Sequence, residues 1–308
     1  MGNPEMKSIE NLRLGIIGLS EGNGHPYSWA AIFNGYDPVA MASCPFPVIP
    51  AYLARQTFPA DAIPNARVTH VWAQDRAVAE HVAAASLIPR VVDKYEAMIG
   101  EIDAVLLARD DAENHVEMSI PFLDAGLPVY IDKPVALTTA DLAALYTHRH
   151  YASQIFSCSA FRFSEDFKLD DEARAMLGEI KYVQAIVPKS WEKYGVHIVD
   201  PVLNMLGLYG KTCRVASSRL SDVTSVTAEF GQTSVTFTCL GPMPCEIKIN
   251  LFGSLGFKEF VFKNTYSAFK RTLEAFVDGI RSGREITTRD ELTSVVSILE
   301  RGMKYGNG

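Results

Sequence analysis

A chain of 308 residues is too long for one small core, and predicts two domains of ordinary size. With 48% hydrophobic and 21% charged residues its composition is globular, which excludes long disorder or a fibre. The net charge of −7, with no lysine-rich run, argues against a nucleic-acid partner, because an acidic surface repels a polyanion.

The chain opens on MGNPEMKSIENLRLG, which lacks the apolar stretch of a signal peptide, and no later run has the length to cross a bilayer. A cytoplasmic protein without a membrane partner is expected. Residues 14–19 are an apolar run that predicts a strand. It breaks at GLSEGNGHPY, where Pro26 sits at a position in which a helix tolerates a missing N–H, and Gly35 is a left-handed stop for that helix. Residues 36–66 hold six prolines, too many for a long helix or a central strand, and predict a surface insertion.

Regular alternation follows. RVTHVWAQD reads as a strand ending at Asp75 and RAVAEHVAAAS as a helix; IDAVLLA is a buried strand, and residues 115–125 form a helix that stops at Gly126. PVYID is the next strand, Thr138 with Asp141 a capping box, and QIFSCSAF closes the series. Strands separated by helices imply an α/β doubly wound parallel sheet, a Rossmann dinucleotide-binding domain over residues 1–160, with its ligand at the carboxyl ends of the strands. Beyond it, TSVTAEF, TSVTFTCL and EIKINLF have period two and predict an α+β domain over residues 161–308, built on a mostly antiparallel sheet. Two amphipathic helices end it, one carrying Phe269, Leu273, Phe276, Val277 and Ile280, the other opened by a Thr288 and Glu291 capping box.

The five cysteines, Cys44, Cys158, Cys213, Cys239 and Cys245, include no Cys-x-x-Cys pair and read as reduced thiols. No metal is expected. The acidic RDDAENH stretch at 109–115 reads as a solvated loop touching cofactor, and His148 and His150 fall on different helix faces.

A helix N-terminus behind a glycine turn binds phosphate through its unpaired N–H groups and its dipole. Against the Gly-x-Gly-x-x-Gly pattern Gly18 takes the first place, Ser20 and Asn23 occupy the other two, and Gly22 and Gly24 lie two residues and one residue beyond them. The turn is therefore lengthened, with Ser20, Asn23 and His25 adding side-chain donors; Glu21 repels a phosphate unless it turns to solvent, and a plain structural turn is the other reading. Asp75 matches the carboxylate that accepts from the adenosine ribose once residues 36–66 are removed from the interval, and it favours NAD, with NADP the alternative. Arg76 reads either as a phosphate or adenine partner or as a solvated helix-start arginine.

At YIDKPVALTTADLAAL the chain resembles the glucose-fructose oxidoreductase, inositol dehydrogenase and rhizopine-catabolism (Gfo/Idh/MocA) family, whose Glu-Lys-Pro is here Asp132-Lys133-Pro134. The resemblance extends over IDAVLLA and His115, the eighteen-residue step to Lys133, FRFSEDF, GVHIVDPVLNMLG and FVDGIRSGR. It implies that Lys133 bonds the reacting hydroxyl, that His197 assists proton movement, and that Arg109, Asp110, His115 and Asp132 border the cofactor. Family members place an Asp four residues before such a His, where this chain has Lys193. Asp200 either orients the imidazole or pairs locally, and Arg162, Lys189, Trp191 and Lys193 are expected around the substrate, suiting an anionic sugar, with solvated surface charge the other reading of Arg162 and Lys189. The resemblance also implies a homo-oligomer, assembled through the exposed face of the antiparallel sheet.

The expected activity is therefore an NAD(P)-dependent oxidoreductase moving a hydride between nicotinamide and a hydroxyl or carbonyl carbon of a sugar-like small molecule. A dinucleotide-binding sensor without turnover and an NAD-dependent glycosidase are the rival readings on the same fold.

Overall fold

The computed structural model describes residues 11–304, so most of the polar opening stretch lies outside the described residues. The chain divides into two compact units, one made of residues up to Asp132, Ala143–Ser157 and Phe269–Thr287, the other of Lys133–Leu142, Cys158–Ala268 and the segment from Thr288.

The first unit runs β1 (Leu12–Ile17), α1 (His25–Asn34), α2 (Pro38–Met41), α3 (Val48–Leu53), β2 (Ala66–Trp72), α4 (Arg76–Ala85), β3 (Arg90–Val91), β4 (Ala104–Leu107), α5 (His115–Asp124), β5 (Val129–Ile131) and β6 (Ile155–Phe156). Helix α6 (Thr139–Thr147) precedes β6. The six strands form one parallel sheet in the order β3-β2-β1-β4-β5-β6, the doubly wound arrangement that the alternation predicts. Every residue of β4 and β5 is buried, as strands covered on both faces must be.

The proline-rich segment differs from its reading as a surface insertion. As its prolines require, it holds neither a long helix nor a strand, only short helices: Pro38 follows Asp37, whose carboxylate accepts from the amides of Val39 and Ala40 at 2.8 and 2.9 Å. Met41, Ile49, Tyr52 and Leu53 are buried, so the segment contributes core. His81 in α4 pins it, with Nδ1 2.6 Å from the Tyr27 hydroxyl and Nε2 2.8 Å from Ser43 Oγ.

The second unit holds α7 (Asp171–Leu177), β7 (Ile180–Val187), α8 (Trp191–Tyr194), α9 (Val196–Leu206), β8 (Arg214–Leu220), β9 (Val223–Phe230), β10 (Thr233–Cys239), β11 (Lys248–Gly253) and β12 (Phe257–Val261). Helix α10 (Thr265–Ser282) crosses the division, and α11 (Arg289–Gly302) opens with the predicted reciprocal Thr288 and Glu291 capping box. The sheet order is β12-β11-β7-β10-β9-β8, antiparallel except for the β7–β10 pair. Alternation along β7 buries Val183, Ala185 and Val187 and turns Tyr182 outward. No helix among the described residues is long and apolar enough to cross a membrane.

Candidate active site

The bend between β1 and α1 is built around three glycines held for different reasons. A Cβ at Gly18 would stand 2.2 Å from the Pro26 ring, and one at Gly24 would meet Phe46 and Ile49 at 2.6 Å. Gly22 has φ +78° and open space where its Cβ would be.

The first-turn amides of α1, which the sequence reading assigns to a phosphate, are already bonded within the protein. His25 N donates to Asn23 Oδ1 at 2.7 Å, Pro26 at the second helical position has no N–H, and Tyr27 N and Ser28 N return to Gly24 O at 3.1 and 3.3 Å. The side-chain donors are committed as well. Ser20 Oγ donates to Asp110 Oδ1 at 2.7 Å and accepts from the Asp110 amide at 3.0 Å. Asn23 Nδ2 donates to Asp132 Oδ2 at 2.8 Å, and His25 Nδ1 lies 2.5 Å from the same oxygen. Two buried carboxylates need partners, and they take the donors expected to point at a dinucleotide. What the bend still presents is backbone: the amides of Ser20, Gly22 and Gly24 have no hydrogen-bond partner among the described residues.

Gln74 ties this bend to the turn after β4, accepting from Leu19 N at 3.2 Å and from Arg109 at 2.8 Å. Arg109 and Asp110 are buried, so the acidic stretch is not the solvated loop its charges suggest. The Arg109 guanidinium forks onto Asp111 at 2.9 and 2.5 Å. Burial raises the Asp111 carboxyl, but bonds from Arg109 and Asn114 more than offset it and hold the group below its ordinary value. His115 is fully buried at the start of α5 and bonds the Arg109 carbonyl at 2.9 Å, which makes it a core histidine. Asp75 caps α4, accepting from the Ala77 amide at 2.8 Å. Arg76 is exposed and pairs with Glu80 and Asp93, the helix-start arginine of the two readings.

In the second unit a set of side chains gathers on Tyr194. Lys133 is only 5% exposed, and its Nζ lies 5.5 Å from the centre of the Tyr194 ring. His197, 6% exposed, meets the same ring edge-on at 5.0 Å and stacks on Phe161 at 4.5 Å. Lys189, at φ +65°, donates to the Tyr194 hydroxyl at 2.7 Å. Behind His197 stands Ser159, whose hydroxyl is 2.9 Å from Nδ1 and whose amide donates to Asp200 Oδ2 at 2.8 Å. Asp200 therefore reaches the imidazole through Ser159. Its other oxygen accepts from the Tyr209 hydroxyl at 2.5 Å, with Arg162 3.9 Å away.

Two of the expected substrate contacts are framework. Arg162 is buried, donates to Glu291 at 2.9 Å and lies over the Tyr209 ring at 5.0 Å. Burial works against its charge, yet Asp200 beside it keeps the guanidinium protonated, and burial with that same carboxylate pushes the Tyr209 phenol up. Trp191 is 0% exposed, gives its indole N–H to the Leu299 carbonyl at 3.0 Å and packs against the Gly302 backbone, so it offers no face to a ligand. Lys193 is exposed on α8, and His197 lies on α9, which begins after Gly195. Sequence reasoning missed Gln74, Ser159 and Tyr194, none of which belongs to a spaced motif.

His148 lies past the end of α6 and pairs with Asp124 at 2.7 Å. The described residues contain no group of three His, Cys, Asp or Glu able to hold a metal ion.

Residues 50–159 match the model of the GFO_IDH_MocA family, described as an oxidoreductase family with an NAD-binding Rossmann fold. The match begins after the bend. No sequence among the curated proteins matches the chain. Among solved structures, GenD2 from gentamicin A biosynthesis, in complex with NAD, is similar at a TM-score of 0.72 and 17% identity, over 98% of this chain and 95% of that one. The myo-inositol 2-dehydrogenase of Lactobacillus plantarum gives 0.67 and 14%, over 96% and 98%. The scyllo-inositol dehydrogenase of Lactobacillus casei gives 0.68 and 13%, over 97% of each chain. At such identities the likeness speaks for the fold. The bend fits the diphosphate of an NAD-type cofactor through its three unpaired amides and the open side of Gly22.

Proposed function

We propose, from the match of residues 50–159 to the GFO_IDH_MocA oxidoreductase family model, that the chain is a dehydrogenase acting on a CH–OH group of a sugar or sugar derivative. NAD, when bound, accepts or returns the hydride. The amides of Ser20, Gly22 and Gly24 hold its diphosphate, and Asp75 accepts from its ribose, with NADP the second choice of cofactor. Asp110 and Asp132 brace that bend through Ser20 and Asn23, and Arg109 through Gln74.

Lys133 leaves the carboxyl end of β5, two residues after Ile131, where the ligand of a doubly wound sheet belongs. Its ammonium bonds the reacting hydroxyl and favours the charge that grows on that oxygen. His197 moves the proton, held in orientation by Ser159 and, through it, by Asp200. The observation that carries this reading is the convergence of Lys133 and His197 on one face-and-edge aromatic, Tyr194. A catalytic pair needs such common ground.

Self-association through the outer face of the second sheet completes the proposal. Tyr182, Phe252 and Phe257 stand there exposed, their rings 5.7 and 6.3 Å apart in sequence, with Leu255 beside them in the chain.

Fluorescence titration with NADH and NADPH, followed by a panel of sugars, sugar phosphates and nucleotide sugars, tests the assignment. Lys133→Ala should abolish NADH formation and retain cofactor binding. Binding of cofactor with no turnover on any substrate would instead identify a sensor, and net hydrolysis of a glycoside a glycosidase.

A further inference from the structure

We infer that Lys189 and Tyr194 form an oxyanion subsite, so that the substrate is a sugar bearing a carboxylate or a phosphate; this rests on the dehydrogenase reading above and names its substrate class. Lys189 sits at the one bridge between the end of β7 and Gly241, where its amide donates to the Gly241 carbonyl at 2.6 Å and its carbonyl accepts from the Gly241 amide at 3.0 Å. Its φ of +65° is one a lysine rarely adopts, and the two backbone bonds hold it there. The side chain is thereby directed to Tyr194, with Nζ 2.7 Å from the hydroxyl and 4.3 Å from the ring centre.

The donor inventory decides what this pair can bind. An ammonium has three N–H donors and no acceptor, and one of the three is given to the phenol oxygen. The Tyr194 hydroxyl, accepting that bond, keeps its own proton to donate, and no acceptor for it exists among the described residues. No carboxylate lies within ion-pair distance of Lys189 among the described residues either, although the protein carries a net charge of −7. Two N–H groups and one O–H are therefore left without an acceptor among the described residues. The complement of a donor-only site is an oxyanion. Arg162 cannot fill this role because it is bonded to Glu291, and the Lys133 ammonium on the same Tyr194 ring places the subsite beside the proposed reacting hydroxyl.

Carboxylate and phosphate share this chemistry, and a binding measurement separates them. Calorimetric titration of the purified protein, with and without NADH, would use gluconate, glucuronate and glucose 6-phosphate against sorbitol and glucose. At least one anionic probe should bind 10-fold or more tightly than its neutral counterpart, and added salt should weaken that preference. Lys189→Met should lose about 10- to 100-fold in affinity for the anionic probe, Lys189→Arg should recover most of it, and Tyr194→Phe should lose a smaller factor, all with unchanged thermal melting. Equal binding of anionic and neutral probes, no binding of any anionic probe, or a preference that survives Lys189→Met would overturn the subsite. If NADH binds and the charge preference is absent, this inference fails alone; if NADH does not bind, the dehydrogenase reading fails as well.

Discussion

His25 Nδ1 lies 2.5 Å from Asp132 Oδ2, joining the first residue of α1 to the residue after β5. Asp132 is 1% exposed, and its Oδ2 is shared by His25 Nδ1 and Asn23 Nδ2. Removing one partner of a buried charge costs far more than removing a surface pair, and the partial exposure of His25 moderates that loss. His25→Ala should lower stability by about 2 kcal/mol in urea denaturation. A loss below a few tenths would mean that Asp132 does not depend on His25.

Ser159 links Asp200 to His197 through its amide and its hydroxyl. Ser159→Ala keeps the first bond and loses the second. The expected result is about 1 kcal/mol of stability, and a fall in kcat of about 10-fold at nearly constant KM, because a freed imidazole still samples its working orientation. Unchanged kcat would show that Ser159 does not orient His197 for the reaction.

Trp191 and Arg162 should report on folding. Trp191→Ala empties a fully enclosed site and breaks the bond to Leu299, which predicts a loss of about 3 to 5 kcal/mol. Arg162→Met strands Asp200 and should cost a similar amount. Chemical denaturation measures both. A variant that melted like the parent protein and bound substrate poorly would restore the ligand role.

Acid stability provides a fourth test. Asp111 is held below its ordinary value of 3.8 in the folded protein despite burial, by Arg109 and Asn114. A lowered folded value means the unfolded chain binds the proton more readily, so the contribution is present above about pH 4 and is lost as pH falls through the folded value. Asp111→Asn should therefore lose less stability than the parent between pH 7 and pH 3. Parallel denaturation curves at the two pH values decide it; equal losses would show that Asp111 is not a major part of the acid transition.

The alternation of strands and helices was legible in the sequence because β4 and β5 are uniformly apolar and α4, α5 and α11 end or begin on recognisable caps. Strand ends were less so. The apolar run read as 14–19 is paired only from Leu12 to Ile17, since chain pairing rather than hydropathy sets the limits. β3, two residues long, carries no pattern of its own. At the site, residues with a motif were found and their neighbours were not. Lys133 and His197 stood out by their resemblance to a family's motifs, whereas Tyr194 and Ser159 enter through contacts that only folding creates. Trp191 shows the converse error. A tryptophan among lysines reads as a binding platform, but its indole was needed to fill the space beneath α11.

The clasp on that indole ties distant parts of the sequence to one mechanical fate. α8 is only four residues long, and it carries Lys193 and Tyr194 while its first residue is gripped by the Leu299 carbonyl and the bare backbone of Gly302. So short a turn cannot keep its own shape, and borrows it from the last helix. Ending the last helix before Leu299, or adding a methyl at Gly302, would loosen the seat of the phenol while leaving the six-stranded platform of the second unit standing.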